Sequence, residues 1–225
     1  MSFSTILTGS TGMVGRSVLL QCLESDEVSG VLVINRHPID LSHPKLKEII
    51  HQNFSDLSPI AERLRGYDAC FFCAGVSSVG KDETEYTRLT YDLVTAFARD
   101  LNAVDADLVF TYVSGLGTDP NGRQMWARVK GRTENALLEM GFRAAYMFRL
   151  GLLLPQRGLP TQTGWIKVLY RLLRPAFPLL RRTSWSVTDR ELGLAMINCV
   201  RTLPAKRMLE SRDIGRLAYA TADSA

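Results

Sequence analysis

Thr8-Gly9-Ser10-Thr11-Gly12-Met13-Val14-Gly15 decides the fold. An apolar run of strand length, residues 3–7, precedes it, and apolar residues at helical spacing, residues 13–23, follow it. That order sets the amides at a helix N-terminus against the end of a strand, where the helix dipole favours an anion. Gly9 permits the tight turn, Gly12 removes a Cβ that would block a phosphate, and Gly15 lets the helix pack closely on the strand. A glycine triplet alone is a weak signal. With the strand and helix in place, Gly9, Ser10, Thr11, Gly12, Met13, Val14 and Gly15 read as a loop that binds a nucleotide pyrophosphate.

Outward from this loop, strand-length apolar runs at residues 31–34, 48–51, 69–74, 108–113 and 145–150 alternate with helical periods at 57–65, 83–102 and 125–140. The pattern is α/β: a doubly wound parallel sheet, a Rossmann fold, with a small C-terminal helical elaboration. The nucleotide-binding domain is expected over residues 1–155, with residues 156–225 forming a lid or substrate elaboration on the same domain. Residues 151–164 read as a loop at the carboxyl ends of the strands, and residues 165–174 and 189–201 as helices.

The chain has 225 residues, 46% of them hydrophobic, enough for the core of one globular domain. Four cysteines and no basic, apolar leader argue against a secreted disulfide scaffold and for a reducing cytoplasm. No apolar run approaches the roughly 20 residues of a spanning helix. The net charge of +4 is local: residues 165–182, opened by Trp165 and closed by Arg182, hold five basic residues and no acid. The apolar and basic faces of this stretch suit a lid helix, a partner protein or the surface of an anionic membrane. The chain carries no nucleic-acid-binding motif.

About 20 residues past the glycine loop, where an NAD site places a carboxylate for the ribose diol, the chain reads Asn35-Arg36-His37. Arg36 suits a 2′-phosphate, so NADP is expected ahead of NAD.

These residues, with Asp56-Leu57, Cys73-Ala74-Gly75, Ser114, Lys130 and Arg149-Leu150-Gly151 in order, resemble the atypical branch of the short-chain dehydrogenase/reductase superfamily. Val129-Lys130-Gly131 followed by Glu134 and Phe148-Arg149 looks most like its Tat-interacting oxidoreductase group, with the nucleoside-diphosphate-sugar epimerases more distant. The resemblance implies that Asp56 and Leu57 sit by the adenine, and that Cys73, Ala74 and Gly75 line the ribose and nicotinamide side. It further implies that Ser114 lies beside the reacting carbonyl and that Lys130 holds the nicotinamide ribose. The family's proton donor is a tyrosine four residues before the lysine, one helical turn away. Here that position is Trp126, whose indole has no proton to give near neutral pH. Two functions follow: an NADP-dependent oxidoreductase or epimerase acting on an unidentified small carbonyl or alcohol, with Tyr86, Tyr91 or Tyr112 or a water relay replacing the tyrosine, or a redox-silent NADPH-binding regulator or assembly module.

Other constellations carry less. Cys70 and Cys73 have redox-motif spacing but fall in a strand, where residues three apart face opposite ways. His37, His43 and His51 lack metal-ligand spacing, and Ser114 lacks the glycine context of a hydrolase nucleophile.

Overall fold

Val31, Leu32, Val33 and Ile34 are all buried, as a strand covered by helices on both faces requires. Val31 and Val33 join the core on one side of the sheet and Leu32 and Ile34 the core on the other. The computed structural model describes residues 2–156, 177–180 and 183–220. The first half contains β1 (Phe3–Thr8), α1 (Met13–Glu24), β2 (Val28–Asn35), β3 (Leu46–Ile50), a 3₁₀ helix (Ser58–Leu64) and β4 (Ala69–Phe72). Then come α2 (Glu83–Thr87), a π-helical turn (Arg88–Asp92), α3 (Leu93–Val104), β5 (Val109–Gly115), α4 (Met125–Leu138) and β6 (Ala144–Leu150). β7 (Leu152–Leu154), α5 (Phe177–Leu180), β8 (Ser186–Thr188), α6 (Asp189–Thr202), β9 (Met208–Glu210) and α7 (Ser211–Leu217) complete the described chain.

Seven parallel strands form one sheet in the order β3-β2-β1-β4-β5-β6-β9, the doubly wound arrangement expected from the sequence. The order reverses between β1 and β4, and in such sheets a ligand sits outside the carboxyl ends of the strands at that reversal. On one face, α1 (Val18, Leu19, Cys22) and α6 (Leu192, Ala195, Met196) pack together. A Cβ at Gly193 would lie 2.4 Å from Cβ of Gln21, so the two helices approach as closely as they do because position 193 is glycine. On the other face lie the 3₁₀ helix, α3 with Phe97 and Leu101, and Leu137 of α4.

Three local expectations change. The helix expected over residues 83–102 is interrupted by the π turn Arg88–Asp92, a feature frequent at functional sites. Within the expected loop 151–164, Leu152–Leu154 instead pairs in parallel with Ser186–Thr188. A three-residue run shows no period, and its partner is remote in sequence, so the pairing leaves no local signal. The C-terminal part also supplies a seventh strand, β9, beside β6, and so is not helical alone. The helix expected over 165–174, and all but 177–180 of the basic stretch 165–182, lie outside the described residues. Among the described residues no helix is long and apolar enough to cross a membrane.

Candidate functional site

The glycine loop is built as tightly as its composition allows. Gly9 has φ +73°, and a Cβ on it would stand 2.6 Å from the amide nitrogen of Ala74, so β1 and β4 meet there at backbone distance. A Cβ on Gly15 would stand 2.2 Å from the carbonyl oxygen of Gly9, so α1 begins in direct contact with the turn. Gly12 caps α1, and a Cβ there would meet nothing nearer than the Gly9 oxygen at 3.4 Å, leaving the space above the loop open. The first turn of α1 has no acidic residue and no side-chain cap, so the amides of Met13, Val14 and Gly15 have no intrahelical acceptor. An uncapped, twelve-residue helix whose start is kept open by glycine fits a dinucleotide pyrophosphate.

A cleft of about 160 Å³ opens beside this loop, lined by Gly9, Thr11, Asn35, Arg36, Gln52, Phe54, Ala74, Gly75, Val76 and Leu89 among others. Among the described residues, Arg36 is the one charged residue of its lining. Asn35 is occupied in fixing the loop: it accepts from Ser10 Oγ at 2.7 Å and donates to Glu48 Oε1 at 2.9 Å. Ser10 is thereby turned away from the cleft and buried as a brace between the loop and β2. Asp56 and Leu57 do not line the cleft. Asp56 accepts from the Ser58 amide and hydroxyl at the start of the 3₁₀ helix, which holds its carboxyl below the usual carboxylate range. Leu57 is fully buried in the core, and its amide donates to Asp100 Oδ2. Gln52 and Phe54 occupy the position by the cleft instead, a few residues earlier in the same turn.

Ala74, Gly75, Val76 and Leu89 continue into a narrow cavity of about 20 Å³ whose far wall is Lys130, Tyr86, Tyr112 and Val113. One trough therefore runs from Arg36 to Lys130. Burial pulls the Lys130 ammonium down to about 8, opposed by the charge of Glu134 one helical turn further along α4. Burial pushes the phenols of Tyr86 and Tyr112 up, and Tyr112 is also tied to Thr133. Tyr91 lines neither cavity and lies under the Arg132 guanidinium.

At the carboxyl ends of β5 and β6, outside the lining of both cavities, Ser114 Oγ donates to Glu134 Oε1 at 2.5 Å. Glu134 is fully buried and receives Arg149 Nη2 at 2.6 Å and Nε at 3.1 Å; Arg149 reaches on to Glu210 at 3.3 Å. These bonds hold the Arg149 pKa above its ordinary value. Glu134 has no role in the sequence reading beyond family spacing, although its place four residues after Lys130 sets both on one helix face. Trp126 lays its ring over Gly115 and Gly117 at the end of β5, and its indole N–H donates to Gln124 Oε1.

The remaining candidates are structural. Cys70 packs with the core on one face of the sheet and Cys73 with that on the other, so the pair cannot close a disulfide without rearrangement. Burial raises the Cys73 thiol to about 12. His43 Nδ1 accepts from the Lys45 amide, and His51 Nε2 lies 2.8 Å from two carbonyl oxygens, so both serve turns.

No family model matches the chain. Protein HTATIP2 of Rattus norvegicus is 24% identical over 165 residues, which cover 72% of this chain and 68% of that protein. Protein fmp52-1, mitochondrial, of Aspergillus oryzae is 29% identical over 161 residues, covering 68% and 67%. Among solved structures, WbmH of Bordetella bronchiseptica in complex with NAD+ superposes with a TM-score of 0.66 at 15% identity, over 92% of this chain and 73% of that one. UDP-glucuronic acid 4-epimerase of Bacillus cereus in complex with NAD gives 0.66 at 13% identity, over 92% and 77%. The chain thus shares the fold of these two NAD-complexed proteins and is similar in sequence to Protein HTATIP2 and Protein fmp52-1.

Proposed function

We propose that the protein binds NADP(H) along the trough and acts as an oxidoreductase or epimerase on a carbonyl or alcohol, with Ser114 and Glu134 working in place of the missing tyrosine. The observation that carries this reading is the hydrogen bond from Ser114 Oγ to the buried carboxylate of Glu134, which stands four residues along α4 from the trough-lining Lys130. The amides of Met13 and Val14 would hold the pyrophosphate, Arg36 the 2′-phosphate and Lys130 the nicotinamide ribose hydroxyls. When bound, the dinucleotide supplies or accepts the hydride. Arg36, as the one charged residue lining the cleft, supports the 2′-phosphorylated form.

Because Ser114 gives its own proton to Glu134, it can only accept a hydrogen bond from a substrate hydroxyl. In the oxidising direction that hydroxyl passes its proton to Ser114 Oγ as the serine proton moves to Glu134 Oε1, so each oxygen that gains a proton is matched by one that loses it. Reduction runs the same path backwards. Arg149 holds the carboxylate in place.

A redox-silent NADPH-binding regulator is the second reading, favoured by Trp126, whose indole N–H is turned to Gln124. Titration of protein fluorescence with NADPH and NADH, then a carbonyl and alcohol panel on wild type, Glu134→Gln and Trp126→Tyr, separates the two. The first reading expects tighter NADPH binding and turnover that falls about 100-fold or more in Glu134→Gln. Turnover confined to Trp126→Tyr supports the regulator, and failure to bind NADPH overturns both.

Cytoplasmic residence belongs to the same reading, supported by four free cysteines. Fungal relatives carry a mitochondrial designation, so recovery in an organelle fraction would overturn it. We further propose that the basic stretch 165–182 serves as a lid or docking segment. Co-sedimentation with anionic vesicles tests its membrane version.

A further inference from the structure

We propose a second ligand site at the opposite end of the sheet, a basic cleft that takes a small polyanion carrying two or more phosphate groups. Nothing in the trough reading requires it: the trough lies at the carboxyl ends of the strands, whereas this cleft lies at the amino ends of β1 and β2 and beside β3.

The cleft exists because of two small residues in register. Ser4 of β1 pairs with Gly30 of β2, and a Cβ on Gly30 would meet nothing nearer than the Lys45 carbonyl oxygen at 3.8 Å. Where larger side chains would support a covering layer, the sheet surface is bare, and a cavity of about 480 Å³ results, larger than the 160 Å³ nucleotide cleft. That volume falls in the range of small-molecule sites, roughly 300 to 1,000 Å³.

Its walls are cationic on both sides. Lys45 and Lys47 stand at β3, Arg63 and Arg65 at the end of the 3₁₀ helix, and among the described residues no carboxylate lines the space. Two nearby acids bond to lining residues, and one of them compensates Arg65. Asp68 accepts from the Ser4 amide at 2.7 Å and its hydroxyl at 3.1 Å, and Glu62 pairs with Arg65 at 3.1 Å. Lys45 Nζ donates to the Ser25 carbonyl. Lys47 of β3 and Arg63 of the 3₁₀ helix have no ion-pair partner among the described residues. Cations without a counter-charge around a concave space raise the local positive potential, which draws an anion. Two unpaired cations on separate elements suit a ligand with separated charges, hence a polyphosphate chain rather than a single carboxylate. Half-buried Tyr67 adds an aromatic ring to the lining.

Inorganic tripolyphosphate is the probe, titrated by calorimetry into wild type, the double variant Lys47→Glu/Arg63→Glu, Gly30→Val and Arg36→Glu. Both cations are exposed, and a Cβ at position 30 makes only ordinary contact, so all four proteins should fold, with unchanged thermal midpoints as the check. The expected result is one site on wild type, weakened at least tenfold by the double reversal and by Gly30→Val and unchanged in Arg36→Glu. No saturable binding to wild type overturns the proposal. So does loss in Arg36→Glu, which would assign the probe to the nucleotide cleft. Full binding in Gly30→Val beside loss in the double variant would mean a diffuse basic surface, and that too overturns the site.

Discussion

Ser114 and Glu134, twenty residues apart in sequence, share a 2.5 Å hydrogen bond in the interior, with Arg149 closing the other side of the carboxylate. The bond fixes the direction of the serine hydroxyl, and Arg149 fixes the carboxylate. A buried anion is tolerated here because both of its oxygens are bonded to donors.

Glu134→Ala leaves Arg149, whose side chain is 17% exposed, with Glu210 as its remaining partner, and strips Ser114 of its acceptor. Removing one member of a buried pair costs about 3 to 5 kcal/mol. Urea unfolding should show a loss near the lower figure, because Glu210 keeps part of the charge compensated. Glu134→Gln, which keeps an acceptor for Ser114, should lose less. A loss under about 1 kcal/mol for the alanine variant would show that the pair is not buried as described.

Gly15 and Gly12 separate packing from ligand contact. Gly15→Ala drives a methyl to 2.2 Å from a backbone oxygen, so the loop must move. An overpacking cost of about 1 to 3 kcal/mol and loss of dinucleotide binding are expected together. Gly12→Ala meets only an oxygen at 3.4 Å and should keep its thermal midpoint within a few degrees while binding weakens. Equal destabilisation of the two variants would contradict this division.

Arg36→Asp should reverse cofactor preference. The substitution replaces the one charged residue of the cleft with the carboxylate that suits a ribose diol. NADPH affinity should fall relative to NADH by tenfold or more, about 1.4 kcal/mol. An unchanged ratio in paired fluorescence titrations would remove Arg36 from the site.

Lys130 makes stability depend on alkaline pH in a defined direction. Its folded pKa, about 8, lies below the ordinary lysine value of 10.5, so between these values the unfolded chain holds a proton that the folded chain has released. Stability from this group therefore rises as pH increases from about 8 to 10.5, and the cost of burying the ammonium is fully present below that window. Buried thiols act oppositely: Cys73, raised to about 12, favours the folded state less as pH climbs above 9. The comparison with Lys130→Met isolates the lysine. Relative to that variant, wild type should gain up to about 3 kcal/mol of unfolding free energy across the window. A flat difference would mean that the ammonium is solvated.

The strand–glycine–helix unit, the parallel sheet and the opposite facing of Cys70 and Cys73 were legible from the sequence by itself. Each is set by residues within a few positions of one another: a turn that needs φ +73° at Gly9, a period of two in strands, a period near 3.6 in helices. Arg36 at the mouth of the cleft followed from counting along β2. Tertiary structure alone decided which side chains meet. Ser10 is spent on Asn35, Asp56 caps a 3₁₀ helix while Gln52 and Phe54 reach the cleft, and Ser114 finds Glu134. The strand pair Leu152–Leu154 and Ser186–Thr188 and the seventh strand Met208–Glu210 belong to the same class. These contacts join segments distant along the chain, and their free energy comes from burial and hydrogen bonding after the layers pack. No period or propensity in the separate segments encodes them.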